Sequence, residues 1–305
     1  MAYVLETKNL TKMYGSKAAI RDVNMHIEEG KIYGLIGRNG AGKTTIMRII
    51  SGLSNATSGD YTLFGKTGYE KGKMLREVGV LIESPGIYPK LSGYENLKIK
   101  CIARGIRDDG YVDKLLKTVS LDGTDRKKGA GSYSLGMRQR LGIALAMVGD
   151  PKILVLDEPI NGLDPQGIVD VRQTLEKLRD ERGITIMISS HILDELAKVA
   201  DAYGIIHEGT LLDEFSAEEL HERCGKSLIL RTDKPAETLQ VLENMNIRGA
   251  THEPDGSIRV GKGMEQTKEI SKAIIDAGIG LEEIFLRTMS LEEYYLGMTG
   301  VEHNG

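Results

Sequence analysis

The sequence predicts an α/β fold on a mostly parallel β-sheet, followed by a small second domain. Three observations predict it. Short, largely apolar runs at 31–36, 153–156 and 184–189 read as strands buried on both faces, and the first and last lead into helical stretches. Strands alternating with helices imply a parallel sheet covered on both sides. The charge balance also changes near residue 215: residues 1–215 hold 30 Lys and Arg against 28 Asp and Glu, while 216–305 hold 10 against 16. The acidic remainder therefore reads as a separate unit.

In chain order, residues 3–8, 18–21 and 23–27 alternate as short antiparallel strands, with a turn at Glu29-Gly30. The strand 31–36 runs straight into a Gly-rich stretch, and 44–51 reads as a helix. A strand at 78–83 precedes the turn-rich 84–93. Ser92-Gly93-Tyr94-Glu95 is a capping-box pattern opening a helix towards 104. Helical patterns at 112–119 and 134–149 complete an insert at about 86–148. The core resumes with the strands 153–156 and 184–189, a helix at 192–200 and a hairpin of 203–207 with 210–214. Beyond 216 the order is strand 227–231, helix 235–245, strands 246–252 and 257–260, helix 265–277 and strand 281–286. That β-α-β-β-α-β order is ferredoxin-like.

The formal charge of -4 with interspersed signs gives no nucleic-acid footprint. Two cysteines, Cys101 and Cys224, are too few for a disulfide framework and suit a reducing compartment. Residues 1–10 lack the pattern of a targeting leader. No apolar run approaches the ~20 residues a membrane span needs, so any membrane crossing falls to another chain.

Gly37-Arg38-Asn39-Gly40-Ala41-Gly42-Lys43-Thr44 matches the phosphate-loop pattern in full, with Thr45 following it into the helix. Its glycines let successive N–H groups turn inward around phosphates at the positive end of a helix. Lys43 brings a mobile positive charge to the β- and γ-phosphates, and the Thr44 hydroxyl is a hard-oxygen ligand for Mg²⁺. Asp157 ends the strand 153–156, where open α/β sheets bind ligands, and its carboxylate can hold Mg²⁺. Glu158 follows on the other face of an extended chain, free for a different task.

Downstream, Tyr133-Ser134-Leu135-Gly136-Met137 precedes the Asp157-Glu158 strand, and Asn161-Gly162-Leu163-Asp164 follows it. This block, after such a loop, resembles the ATP-binding subunits of ABC transporters. The resemblance implies a P-loop ATPase fold, with an antiparallel β-subdomain and a helical insert, over 1–215. An accessory α+β domain over 216–305 would follow. It implies ATP and Mg²⁺ as ligands and a homodimer or heterodimer of ATPase subunits closing on ATP. It also implies a separate permease, touched by the surface around Glu83 to Glu95, and a place on the cytoplasmic face of the membrane. Glu158 would be the general base or water-polarising group, or else a second metal-tuning carboxylate. His191 would contact the γ-phosphate and order Glu158. Tyr14 would stack on adenine, or else pack at a strand end. Ser134 and Gly136 would bind the partner's γ-phosphate, and Asp164 would connect the two sites. Leu135 and Met137 depart from the usual Leu-Ser-Gly-Gly-Gln, which implies a working but variant trans site, or else a degenerate site in a heterodimer. Glu83 stands where most members carry a Gln metal ligand. With Tyr88-Pro89 and Glu95-Asn96-Leu97, it looks like the bacitracin-resistance and lantibiotic-immunity branch, or a neutral change in a general exporter. A soluble non-transport ABC ATPase and a nucleotide-dependent regulator are the other readings.

Overall fold

The computed structural model describes residues 3–124, 126–223, 225–261 and 266–300. Cys224 and residue 265, the expected start of a helix, lie outside them. The chain forms two compact units, Met1–Ala217 and Glu218–Gly305.

In the first unit an antiparallel sheet joins β1 (Tyr3–Tyr14), β2 (Lys17–Val23), β3 (His26–Glu28) and β5 (Ser58–Leu63). The strand expected at 3–8 is twelve residues long, because β2 pairs along its far half from Leu10 to Tyr14, while β5 pairs with Leu5 to Lys8 and reaches Thr11. Sequence reading missed β5, whose Ser-Gly-Asp start hides it, and the helix α2 (Gly68–Met74) after it. A second sheet holds β4 (Ile32–Ile36), β6 (Val78–Leu81), β7 (Ile153–Leu156), β8 (Thr185–Ser190), β9 (Ala202–His207) and β10 (Thr210–Ser216). Its order is β10-β9-β4-β8-β7-β6, parallel throughout except for the β10 hairpin edge.

Between the two sheets lies α1 (Lys43–Ile50). Ile46, Met47, Ile49 and Ile50 are buried in one cluster with Leu5, Leu10, Ile20, Met25, Leu35, Val155 and Met187. These four apolar residues bury the helix against both sheets, and it anchors the phosphate loop from inside the core. The insert contains α3 (Gly93–Ala103), α4 (Tyr111–Thr118) and α5 (Leu135–Ala146), which pack on one another. Ser92 caps α3 with Glu95 completing the box, as the sequence indicates. The long α6 (Pro165–Arg182) packs against α5 and β8. The helix expected at 192–200 is shorter: α7 covers only Leu193–Leu196.

The second unit contains α8 (Ala217–Arg223), β11 (Lys226–Thr232), α9 (Pro235–Asn244), β12 (Ala250–His252), β13 (Ile258–Val260), α10 (Thr267–Asp276), β14 (Leu281–Thr288) and α11 (Leu291–Thr299). The sheet order is β12-β13-β11-β14, with every neighbour antiparallel. Ile270 and Ile274 of α10 and Leu242 of α9 pack on Leu228, Leu230, Ile258 and Val260. Sequence reading found neither α8 nor α11, although Ser290 caps α11 with a full capping box.

Candidate active site

Three neighbouring parallel strands end on the same edge of the sheet, and that order assembles the site. Ile36 pairs with Ser190, and Leu156 with Ile188. The next residues are therefore Gly37 on β4, His191 on β8, and Asp157 facing Ser189. Carboxyl ends of parallel strands are where such sheets bind ligands.

The loop from Gly37 to Thr44 is pressed against its surroundings. A Cβ on Gly37 would lie 2.5 Å from the Ile206 carbonyl oxygen. Gly42, at φ +111°, would place a Cβ 2.6 Å from Ile20 Cγ2 and 2.8 Å from the Ala19 oxygen. Neither site admits a side chain, so both glycines are required by sterics, and Gly42 by its conformation as well. Lys43 is 5% exposed. Its ammonium donates to the Gly37 oxygen at 2.6 Å and the Arg38 oxygen at 3.2 Å, and lies 3.5 Å from Glu158 Oε1. Arg38, Asn39 and Gly40 are exposed at the loop tip, and Ala41 is buried.

Thr44 Oγ1 donates to Asp157 Oδ2 at 2.7 Å. Ser189 Oγ donates to the other carboxylate oxygen at 2.5 Å and accepts from the Glu158 N–H at 2.9 Å. Sequence reading missed Ser189. Its signal is a hydroxyl at the carboxyl end of a fully buried strand, where it is 0% exposed. Thr44 and Asp157 form an oxygen-only donor pair that fits a hard divalent cation such as Mg²⁺.

Glu158 does not continue an extended chain, contrary to the sequence expectation. Its backbone is left-handed, at φ +47°. β7 stops at Leu156, and the Ser189 hydroxyl holds the turned N–H. A non-glycine residue there costs about 1–3 kcal/mol, so the surrounding contacts must hold the turn. The turned carboxylate accepts from Asn161 Nδ2 at 3.0 Å and meets His191 Nδ1 at 3.1 Å, both through Oε2. Asn161 is a second residue that sequence reading did not connect to Glu158.

The family model described as ABC transporter matches residues 20–161. The bacitracin transport ATP-binding protein BcrA of Enterococcus faecalis is 42% identical over 302 residues, 98% of this chain and 97% of that protein. The chain belongs to the ATP-binding subunits of ABC transporters. The lantibiotic transport ATP-binding protein SrtF of Streptococcus pyogenes is 45% identical over 229 residues, 74% of this chain and 98% of that protein. A solved dimeric ATP-binding cassette in a post-hydrolysis state, bound to ADP and Pi, superposes with a TM-score of 0.61 at 25% identity, covering 70% of this chain and 98% of that one. The fold is thus that of the P-loop ABC ATPases, and the protein is an ATPase.

The remaining family positions of this ABC ATPase lie outside that cluster. Ser134 is exposed and caps α5, accepting from the Met137 N–H at 3.2 Å. Leu135 begins the helix, so its backbone needs no glycine. Gly136 is buried, and a Cβ on it would sit 3.5 Å from Gly167 Cα, where α5 meets α6. Asp164 caps α6, accepting from the Gly167 N–H at 2.9 Å. Asp164→Ala is expected to cost about 1 kcal/mol of stability, and Asp164→Ser to cost little, as thermal melts would read. Tyr14 is 52% exposed, with the Lys12 ammonium 5.2 Å from its ring centre. Glu83, also left-handed at φ +66°, ion-pairs with Arg48 on α1. Arg48 is one helical turn beyond Thr44, and Glu83 contacts neither Thr44 nor Asp157. Among the described residues no helix is long and apolar enough to cross a membrane.

Proposed function

We propose that this subunit powers export of a peptide antibiotic of the bacitracin or lantibiotic kind through a separate permease, from the cytoplasmic face of the membrane. The observation that carries the motor half of this reading is the convergence of Lys43, Thr44, Asp157, Glu158 and His191 at adjacent strand ends. The names of relatives matched over 98% and 74% of this chain support the cargo class.

In this reading the loop N–H groups and Lys43 hold the ATP phosphates, and the exposed Tyr14 ring stacks on the base. Thr44 and Asp157 hold Mg²⁺, which supplies positive charge against the phosphate oxygens. The Arg48-bound Glu83 lies one turn away and joins through water or on closure. Glu158 takes a proton from the attacking water, with His191 and Asn161 fixing its carboxylate. Two subunits close so that Ser134, the first N–H groups of α5 and Gly136 of each face the other's γ-phosphate. Asp164 holds the intervening turn. Closure that completes a site is an established form of gating. Residues 1–215 form the motor. Residues 216–305 form an accessory domain whose strand order supports the ferredoxin-like reading.

The permease docks in the groove between β6 and α3, about 390 Å³ in volume, lined in part by Leu53, Ile82, Pro85, Tyr88, Ile99 and Lys100. Leu53, Tyr88 and Ile99 are 64%, 57% and 39% exposed there, an apolar surface that a partner would cover. Burial, and then the Arg104 charge, hold the Lys100 ammonium below its usual pKa. Ile99→Asp is expected to abolish co-purification with the permease and leave the subunit's own phosphate release within about twofold, because buried charge is costly. Cells expressing subunit and permease are expected to tolerate bacitracin or a lantibiotic, and tolerance should vanish with Glu158→Gln. Equal sensitivity to both peptide classes with and without the pair would overturn the cargo class.

A further inference from the structure

The two edges of the second unit's sheet differ. β12 is three residues long, a short edge of the kind that does not recruit partners. β14 is eight residues long and pairs only with β11 among the described residues. It contains no Pro to blunt the edge, and its charges, Glu282, Glu283 and Arg287, are of both signs, so they need not repel a second strand. Phe285 and Leu286 are 44% and 54% exposed at its middle. Phe285 pairs with Ile229 across the ladder and Leu286 with Leu228, so the two open side chains stand on opposite faces of the sheet. A strand with an exposed apolar side chain on each face, and one edge unpaired among the described residues, is built to gain a neighbour.

We infer that β14 pairs antiparallel with β14 of a second copy of this chain, joining two four-stranded sheets into one of eight. Symmetry restricts the register. A two-fold axis perpendicular to the sheet keeps each residue on its own face, so only residues of equal parity can stand opposite one another. Centring the axis on Phe285 sets Phe285 against its own copy and Ile284 against Leu286. It also sets Glu283 against Arg287 twice, once on each side of the axis. Shifting the centre to Ile284 or Leu286 removes both charge pairs. Glu283 and Arg287 are 53% and 54% exposed, so both charges are accessible. Arg287 already contacts Glu293, and Glu283 lies 3.6 Å from Arg231. The five donors of a guanidinium leave Arg287 room for a second carboxylate. Aromatic pairs and opposite charges directly across a ladder each stabilise it. This contact goes beyond the ATP-driven closure proposed above and needs no nucleotide.

The full-length chain without nucleotide is therefore expected to sediment as a dimer at tens of micromolar. Glu283→Arg and Arg287→Glu each create two like-charge oppositions and are expected to raise the dissociation constant about tenfold. The double reversal should return it close to the parent value. In a Cys224→Ser background, Phe285→Cys should cross-link under mild oxidation, since opposed residues lie ~4.5–5.5 Å apart at Cα. Glu282→Cys should not, because its two copies would be ~20 Å apart. A monomer without nucleotide, a double reversal no better than the single ones, or equal cross-linking at 282 and 285 would each overturn the proposal. None of these readouts depends on ATP closure, so failure here is distinct from failure of the motor mechanism.

Discussion

Glu158→Gln is expected to lower steady-state phosphate release by ~10²–10⁴, the contribution of a positioned general base, while ATP still binds. The amide keeps the size of the side chain and can still accept from Asn161 Nδ2. What disappears is the charge facing Lys43 at 3.5 Å and His191 at 3.1 Å, and with it the capacity to take a proton from water. Binding energy that would be released on hydrolysis then holds the closed form, so in a Glu283→Arg background, diluted until the β14 contact dissociates, the variant should become dimeric on adding ATP and Mg²⁺. Phosphate release and sedimentation measured on the same sample decide the matter. Turnover within tenfold of the parent would remove Glu158 as the base. A variant that stays monomeric with ATP would remove the closure step. Ser189→Ala would free the left-handed Glu158 backbone without touching its carboxylate, and would also remove the hydroxyl from Asp157 Oδ1, so it reads both carboxylates together.

Gly42→Ala is expected to weaken ATP binding by about a hundredfold and to lower the melting temperature. Its Cβ would stand 2.6 Å from Ile20 Cγ2 and 2.8 Å from the Ala19 oxygen, at a φ of +111° that side chains rarely adopt. Strain of this kind costs about 1–3 kcal/mol, and each 1.4 kcal/mol is about tenfold in affinity. Gly40→Ala is the informative control. It also has a positive φ, +85°, but a Cβ there meets nothing within 4 Å. It should suffer the conformational penalty alone, about tenfold. Equal losses at the two positions, measured by titration calorimetry and thermal melts, would show that β2 does not brace the loop.

How much of the site could be read along the chain depended on whether its parts are consecutive. The phosphate loop is eight consecutive residues whose chemistry is local, and its strand and helix flanks confirm it without any tertiary information. Asp157 was legible because an apolar run ends at it. Ser189 and Asn161 were not, since both act on Glu158 through strand register and a turn that no local pattern announces. The expectation that Glu158 follows an extended chain failed for the same reason. A hydroxyl from a neighbouring strand turns its backbone, and pairing energy between strands does not show in propensity. Glu83 was read through its family position alone, whereas its contact with Arg48 depends on where β6 ends relative to α1.

The fold followed a similar division. The parallel strands were found because they are buried on both faces and read as unbroken apolar runs. The long β1 was cut short and β5 missed, because each has a polar half stabilised by cross-strand pairing. The β-α-β-β-α-β order within the second unit was legible, but the flanking α8 and α11 and the identity of its edge strand were not.

By itself, then, the sequence determined the phosphate loop, the carboxylates at the strand end and the family to which they belong, because contiguous residues encode them. Tertiary structure alone decided that β4, β8 and β7 lie side by side, bringing Gly37, Ser189, His191 and Asp157 to one edge across more than a hundred residues of chain. It also decided that β14 pairs on one side only among the described residues. Strand order and register arise from burial summed over the whole sheet, a quantity that no window of sequence contains.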